Sequence, residues 1–123
     1  MSLTPMQMTS GGGAETVGTP IKIGTITVGG TTYDKYRVVV DFGSLPNATV
    51  KNVNHGLTFN RIISMYGTAK NTTLSTANHL PIPNINPSNS IYSIALEIDS
   101  TKISITTNSD RTSWYGLITI EYY

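Results

Sequence analysis

From residue 21 onward the apolar residues of this chain recur at every second position, the spacing of a strand with one face in a core and the other in water. The alternation is plainest between Ile103 and Tyr122. Ile103 and Ile105 alternate with Ser104 and Thr106, and further on Trp114, Gly116, Ile118, Ile120 and Tyr122 share one parity against Tyr115, Leu117, Thr119 and Glu121. Asn108, Ser109 and Asp110 stand between the two runs. Their short polar side chains can bond their own backbone, so the segment predicts a β-hairpin.

The same reading extends upstream. In residues 21–28, Ile21 and Ile23 fall on one parity and Ile26 and Val28 on the other, which predicts a bulge at Gly24, followed by a turn at Gly29 and Gly30. Residues 32–42 place Tyr36, Val38, Val40 and Phe42 inward and Lys35, Arg37, Val39 and Asp41 outward. The stretch 43–47 breaks that strand, 49–53 resumes it, and His55-Gly56 turns again. Residues 57–71 read as a strand through Ile62, Ile63, Ser64 and Tyr66. Pro81, Pro83 and Pro87 limit residues 71–90 to a short edge strand within a long loop, after which Tyr92, Ile94, Leu96 and Ile98 point inward. Seven or eight short strands without a convincing helix predict an all-β fold, an antiparallel sandwich or barrel, of which a jelly-roll-like β-sandwich is the leading reading. Phe42, Ile94, Leu96, Ile103, Ile105, Ile118 and Ile120 are the expected core.

Residues 1–20 have no periodicity and contain three successive glycines at 11–13. They read as an extended leader ahead of a single domain spanning 21–123. Such a segment orders only against something else, and Met1, Leu3, Met6 and Met8 are candidate anchors, because flexible apolar side chains adapt to irregular grooves. A flexible tail is the alternative. The leader lacks the basic and apolar regions of a signal peptide, and no later stretch is long and apolar enough for a bilayer, so no membrane insertion is expected.

Composition removes several classes of function. Charged residues are 12% of the chain, about half the usual share, and the formal net charge is +1 with the cations scattered singly. Nucleic-acid binding, which needs clustered cations, is not expected. The absence of cysteine excludes disulfides, thiolate metal sites and thiol nucleophiles. His55 and His79 have no neighbouring carboxylate at ligand spacing, and there is no nucleophile elbow, paired-carboxylate pattern or phosphate loop. No catalytic residue, metal or cofactor is expected, and the chain does not read as an enzyme.

Seven tyrosines and a tryptophan among few charges suit sugar recognition, in which amphipathic rings stack on pyranose faces. Tyr115 is the leading exposed candidate, with Tyr66 and Tyr33 next. Arg111 is a further candidate contact, although Asp110-Arg111 is explained as well by an aspartate that accepts backbone N–H bonds while the arginine stem packs over Trp114 or Tyr115.

The run DFGSLPNATVKNVNHGL (41–57), with RIISMYGTAKN (61–71), LPIP (80–83) and ISITTNSDRTSWYGLITIEY (103–122), resembles a domain found at the carboxyl ends of bacteriophage tail-fibre and related virion appendage proteins. The likeness spans nearly all of 31–123 and rests on Phe42, Gly43, Leu45, Pro46, Asn47, His55, Gly56, Gly67, Ser109 to Ser113 and Gly116. In place of the family's G-K-P-(hydrophobic)-Tyr opening this chain has VGGTTYDKY, and no long fibre shaft is expected ahead of the domain. The resemblance implies a structural virion component assembled in the bacterial host cytoplasm: a fibre, head appendage or decoration domain. It also implies a homotrimer, joined through the leader to other virion proteins. A receptor or carbohydrate-binding module facing host surface glycan is the alternative.

Overall fold

In the computed structural model, which describes residues 14–71 and 78–123, the alternating segments become eight strands. They are β1 (Ile21–Val28), β2 (Thr31–Ser44), β3 (Val50–Asn54), β4 (Ile62–Asn71), β5 (Asn78–Ile82), β6 (Ile94–Ile98), β7 (Lys102–Thr107) and β8 (Trp114–Tyr122). Two antiparallel sheets result, one ordered β1-β2-β8-β4-β5 and the other β3-β7-β6. The chain is therefore an all-β sandwich. Met1, Leu3, Met6 and Met8 lie outside the described residues.

The sequence signals account for much of this. The β1–β2 register shifts between Lys22 and Gly24, which is the bulge that the change of parity predicts. Gly29 and Gly30 both adopt positive φ, 57° and 82°, the backbone of a tight hairpin turn that side chains resist. Asp99 accepts from the backbone N–H groups of Thr101 and Lys102 at 2.9 and 2.8 Å and so closes the β6–β7 hairpin. Residues 14–20 are tied to the domain, because Gly18 N–H donates to the Val39 carbonyl at 2.7 Å and Glu15 takes both Arg37 Nε and Nη2, at 3.2 and 3.0 Å.

The inner faces meet in one core. Phe42, Ile94, Ile103, Ile105, Ile118 and Ile120 are buried there, with Leu45, Ile82, Ala69 and Trp114 closing the ends. Leu96 is half-buried rather than buried, since β6 is an edge strand and its side chain packs against the core from the rim. Tyr92 does not point inward. It belongs to a single 3-10 turn, Ser90–Tyr92, capped by the Asn89 side chain, and remains largely exposed. Residues 59–61 likewise form a 3-10 turn before β4 begins.

The predicted hairpin of residues 103–122 is not formed. β7 belongs to the small sheet and β8 to the centre of the large one, where β2 and β4 occupy its two sides. What the segment makes is one half of a two-stranded ribbon. β2 pairs with β8, β3 pairs with β7, and both connections turn the same corner side by side, in the winding of a jelly roll. The pairing hardly breaks at the bend: Leu45 N–H donates to Trp114 O, Arg111 N–H to Pro46 O, Ala48 N–H to Ser109 O and Thr107 N–H to Thr49 O, all at 2.9–3.1 Å. Thr107 Oγ1, buried, donates to the Pro46 carbonyl at 2.9 Å. Alternation reports which face of a strand is dry. Two isoleucine runs facing each other across a core alternate in the same way as two runs side by side in a sheet.

Candidate functional site

The corner collects most of the residues on which the family resemblance rests. Phe42 is buried at the bulge in β2, and Gly43 beside it has φ 79°. Lys51, on the inward parity of β3, reaches back to donate to the Phe42 and Ser44 carbonyls at 3.0 and 2.8 Å and lies 5.2 Å from the Phe42 ring centre. Gly116 lets the Leu45 side chain lie over β8, since a Cβ there would stand 3.1 Å from Leu45 Cδ2. Asp110 accepts from the Thr112 N–H and hydroxyl at 2.9 and 2.7 Å, and these bonds hold its carboxyl below the ordinary range. These contacts build a bend.

Arg111 belongs to the same construction. Its Nη2 donates to the Tyr92 carbonyl at 2.8 Å, and its guanidinium lies 5.2 Å from the Trp114 ring centre. It therefore pins the 3-10 turn at 90–92 to the corner, as the packing alternative for this residue expects. His55 is buried, accepts from Leu57 N–H at Nδ1 (3.0 Å) and so carries its proton on Nε2, which donates to Asp99 O at 2.9 Å. Both ring nitrogens are engaged. His79 stands on a different sheet, so the two histidines are not brought together.

The remaining candidates lie on the outer face of the five-stranded sheet, at separate places. Tyr33 is half-buried at one end, its ring 4.9 Å from that of Tyr123 and 4.7 Å from the Arg61 guanidinium. Tyr66 is exposed mid-face, with its hydroxyl 3.4 Å from Glu121, which also pairs with Lys35 at 3.3 Å. Tyr115 is at the other end. Tyr66 and Lys70 are four residues apart on β4 and Lys70 is opposite Tyr115, which offsets the two tyrosines by about 13 Å along the strand direction at ~3.3 Å per residue.

Tyr115, 43% exposed, borders a depression of about 360 Å³ lined by Thr68, Lys70, His79 and Leu117. Strand register explains the grouping: Lys70 is opposite Tyr115 on one side and His79 on the other, and Thr68 is opposite Leu117. Residues directly opposed in a sheet share a face. The Asp41 carboxylate near the Tyr115 hydroxyl raises the phenol above its usual pKa of 10.0. The sequence reading named Tyr115 as an exposed candidate and did not name Thr68, Lys70, His79 or Leu117, which line the depression beside it. Their outward parity on β4 and β8 was readable, but the β4–β5 register that adds His79 was not.

Among the described residues no group of three or more His, Cys, Asp or Glu side chains is placed to hold a metal ion, and no helix is long and apolar enough to cross a membrane. Comparison with family models, with curated proteins and with solved structures found no match to this chain.

Proposed function

We propose that the chain is a structural component of a bacteriophage virion, a fibre, head-appendage or decoration domain displayed on the particle surface as a homotrimer. The observation that supports this reading is the place of the resemblance in the fold. Phe42, Gly43, Leu45, Pro46 and Asn47 meet Ser109, Asp110, Arg111, Thr112 and Gly116 across the ribbon corner, although the two runs are far apart in sequence. A chance likeness of composition would have no reason to converge on one bend. A domain whose particular residues serve its own winding suits a structural role in an assembly.

Attachment falls to the leader. Residues 14–20 already lie along β2, and the anchor side chains Met1, Leu3, Met6 and Met8 would carry the chain onto another virion protein. The test is particle incorporation during infection of the host: deletion of residues 1–13 is expected to leave the domain's denaturation midpoint unchanged while removing it from purified particles, and native mass spectrometry of the full chain is expected to give a trimer. Full incorporation of the truncated chain would refute the leader's role, and absence of the full chain from particles would refute the virion reading. The exposed Tyr115 beside its depression favours a second reading, a carbohydrate-binding surface on the same displayed domain.

A further inference from the structure

We propose that the depression between β8, β4 and β5 is a binding site for a sugar that carries a carboxylate, with Lys70 and His79 taking the acid and Tyr115 taking the ring face. The proposal rests on the carbohydrate reading and adds the charge of the ligand.

The cations of this domain supply the first observation. Lys22, Lys35, Arg37 and Lys102 form ion pairs, Lys51 binds two carbonyls, Arg61 lies over two tyrosine rings and Arg111 binds the Tyr92 carbonyl. Among the described residues Lys70 alone has no such partner, and it lines the depression. A chain this sparing of charge has left one ammonium unspent, on an exposed face, next to an exposed imidazole.

The second observation is the order of groups across the face. Asp41, the near carboxylate, lies on the β2 side, opposite Leu117. Beside the ring, in the same row across the sheet, come Lys70 and then His79 toward the sheet edge, and Leu117 and Thr68 face each other in the neighbouring row. A pyranose laid on Tyr115 and Leu117 would have an apolar floor under its C–H face, the Thr68 hydroxyl beside its own hydroxyls, and a substituent pointing away from Asp41 toward the cations. A neutral substituent would leave Lys70 without a counter-charge, whereas a carboxylate makes charge-assisted hydrogen bonds with it. The volume of about 360 Å³ lies at the lower end of the range for small-molecule sites and admits one sugar residue of a longer chain.

The test is a titration of the isotope-labelled full chain, followed by amide NMR at neutral pH, with three probes: a glucuronic-acid-terminated oligosaccharide, the glucose-terminated analogue of the same length, and inorganic phosphate. The expected result is a set of shifts centred on Tyr115, Lys70 and His79, with the acidic probe bound roughly tenfold more tightly than the neutral one. Lys70→Gln is expected to bring the acidic probe down to the neutral affinity, and Tyr115→Thr to remove binding of both. Each substitution sits on an outward strand position, and the dispersion of the same spectra reports that the fold is kept. Equal binding of the two sugars would overturn the acidic preference and leave the carbohydrate reading standing. Phosphate binding as tight as the acidic sugar would reduce the site to a simple anion site and overturn the proposal, and no sugar-induced shift on this face would overturn both.

Discussion

Replacing Lys51 by methionine isolates the contact that holds the bulge in β2 at the ribbon corner. The ammonium donates to two carbonyls, Phe42 O and Ser44 O, and lies over the Phe42 ring. Methionine keeps the apolar stem and removes both donors. Hydrogen bonds to charged groups contribute about 1.5–3 kcal/mol each when the group left behind is buried. The Ser44 carbonyl reaches solvent and recovers most of its loss from water, while the part-buried Phe42 carbonyl recovers less. With about 0.5 kcal/mol for the ring contact, the expected loss is about 2–3 kcal/mol. At a urea dependence of roughly 1–3 kcal/mol per molar, the midpoint falls by about 1–2 M, measured by tryptophan fluorescence at one fixed protein concentration. Lys22→Met is the control, since that lysine makes only a surface pair with Asp34 at 3.2 Å, and its stability should change by less than about 0.5 kcal/mol. A Lys51→Met midpoint that coincides with Lys22→Met would refute the assignment of the corner's stability to this lysine.

Ile118→Ala removes a fully buried side chain and should cost about 3–5 kcal/mol, whereas Leu96→Ala at the half-buried rim should cost about half as much in the same urea titration. Gly67→Ala sets a Cβ 2.5 Å from Ile118 Cδ1 and 2.9 Å from the Leu117 carbonyl, so β4 must move away from β8, lowering stability by about 1–3 kcal/mol and opening the central amides to hydrogen exchange. Asp99 is held at about 2, below its ordinary 3.8, first by the Thr101 N–H and then by the Lys102 N–H. A lowered carboxyl stabilises the fold fully above its unfolded value and ceases to do so as pH falls through about 2, so Asp99→Ala should flatten the acid limb of the stability profile between pH ~4 and ~2.

Period-two alternation identified β1, β2, β4, β6, β7 and β8 and most of the core, because burial of one face is a local property of a strand's own residues. It did not identify neighbours. The pairing of β2 with β8 rather than β7 with β8 depends on the corner, where the Thr107 hydroxyl bonds the Pro46 carbonyl from 61 positions away. Lys51 did leave a signal, as a lysine on the parity of Val53 and His55, where an inward cation needs a partner that can only come from elsewhere. Tyr92 was misread because an alternating pattern continues through a 3-10 turn that Asn89 caps. Tyr115 was legible as an outward aromatic on a strongly alternating strand. His79 was obscured by the prolines around it, and Lys70 became distinctive only once every other cation had found its partner.

The position of β8 has a consequence for how the chain comes off the ribosome. Tyr36 pairs with Tyr122 and Ile62 pairs with the same residue from the other side, so the large sheet cannot close until its last strand has been synthesised. Until then β2 and β4 present bare inner edges that invite the wrong partner, and contacts of such long separation form slowly, on the millisecond-to-second scale of β-sandwiches. Products that stop short of β8 would lack the centre of the large sheet, and would be cleared or aggregate rather than reach the folded state.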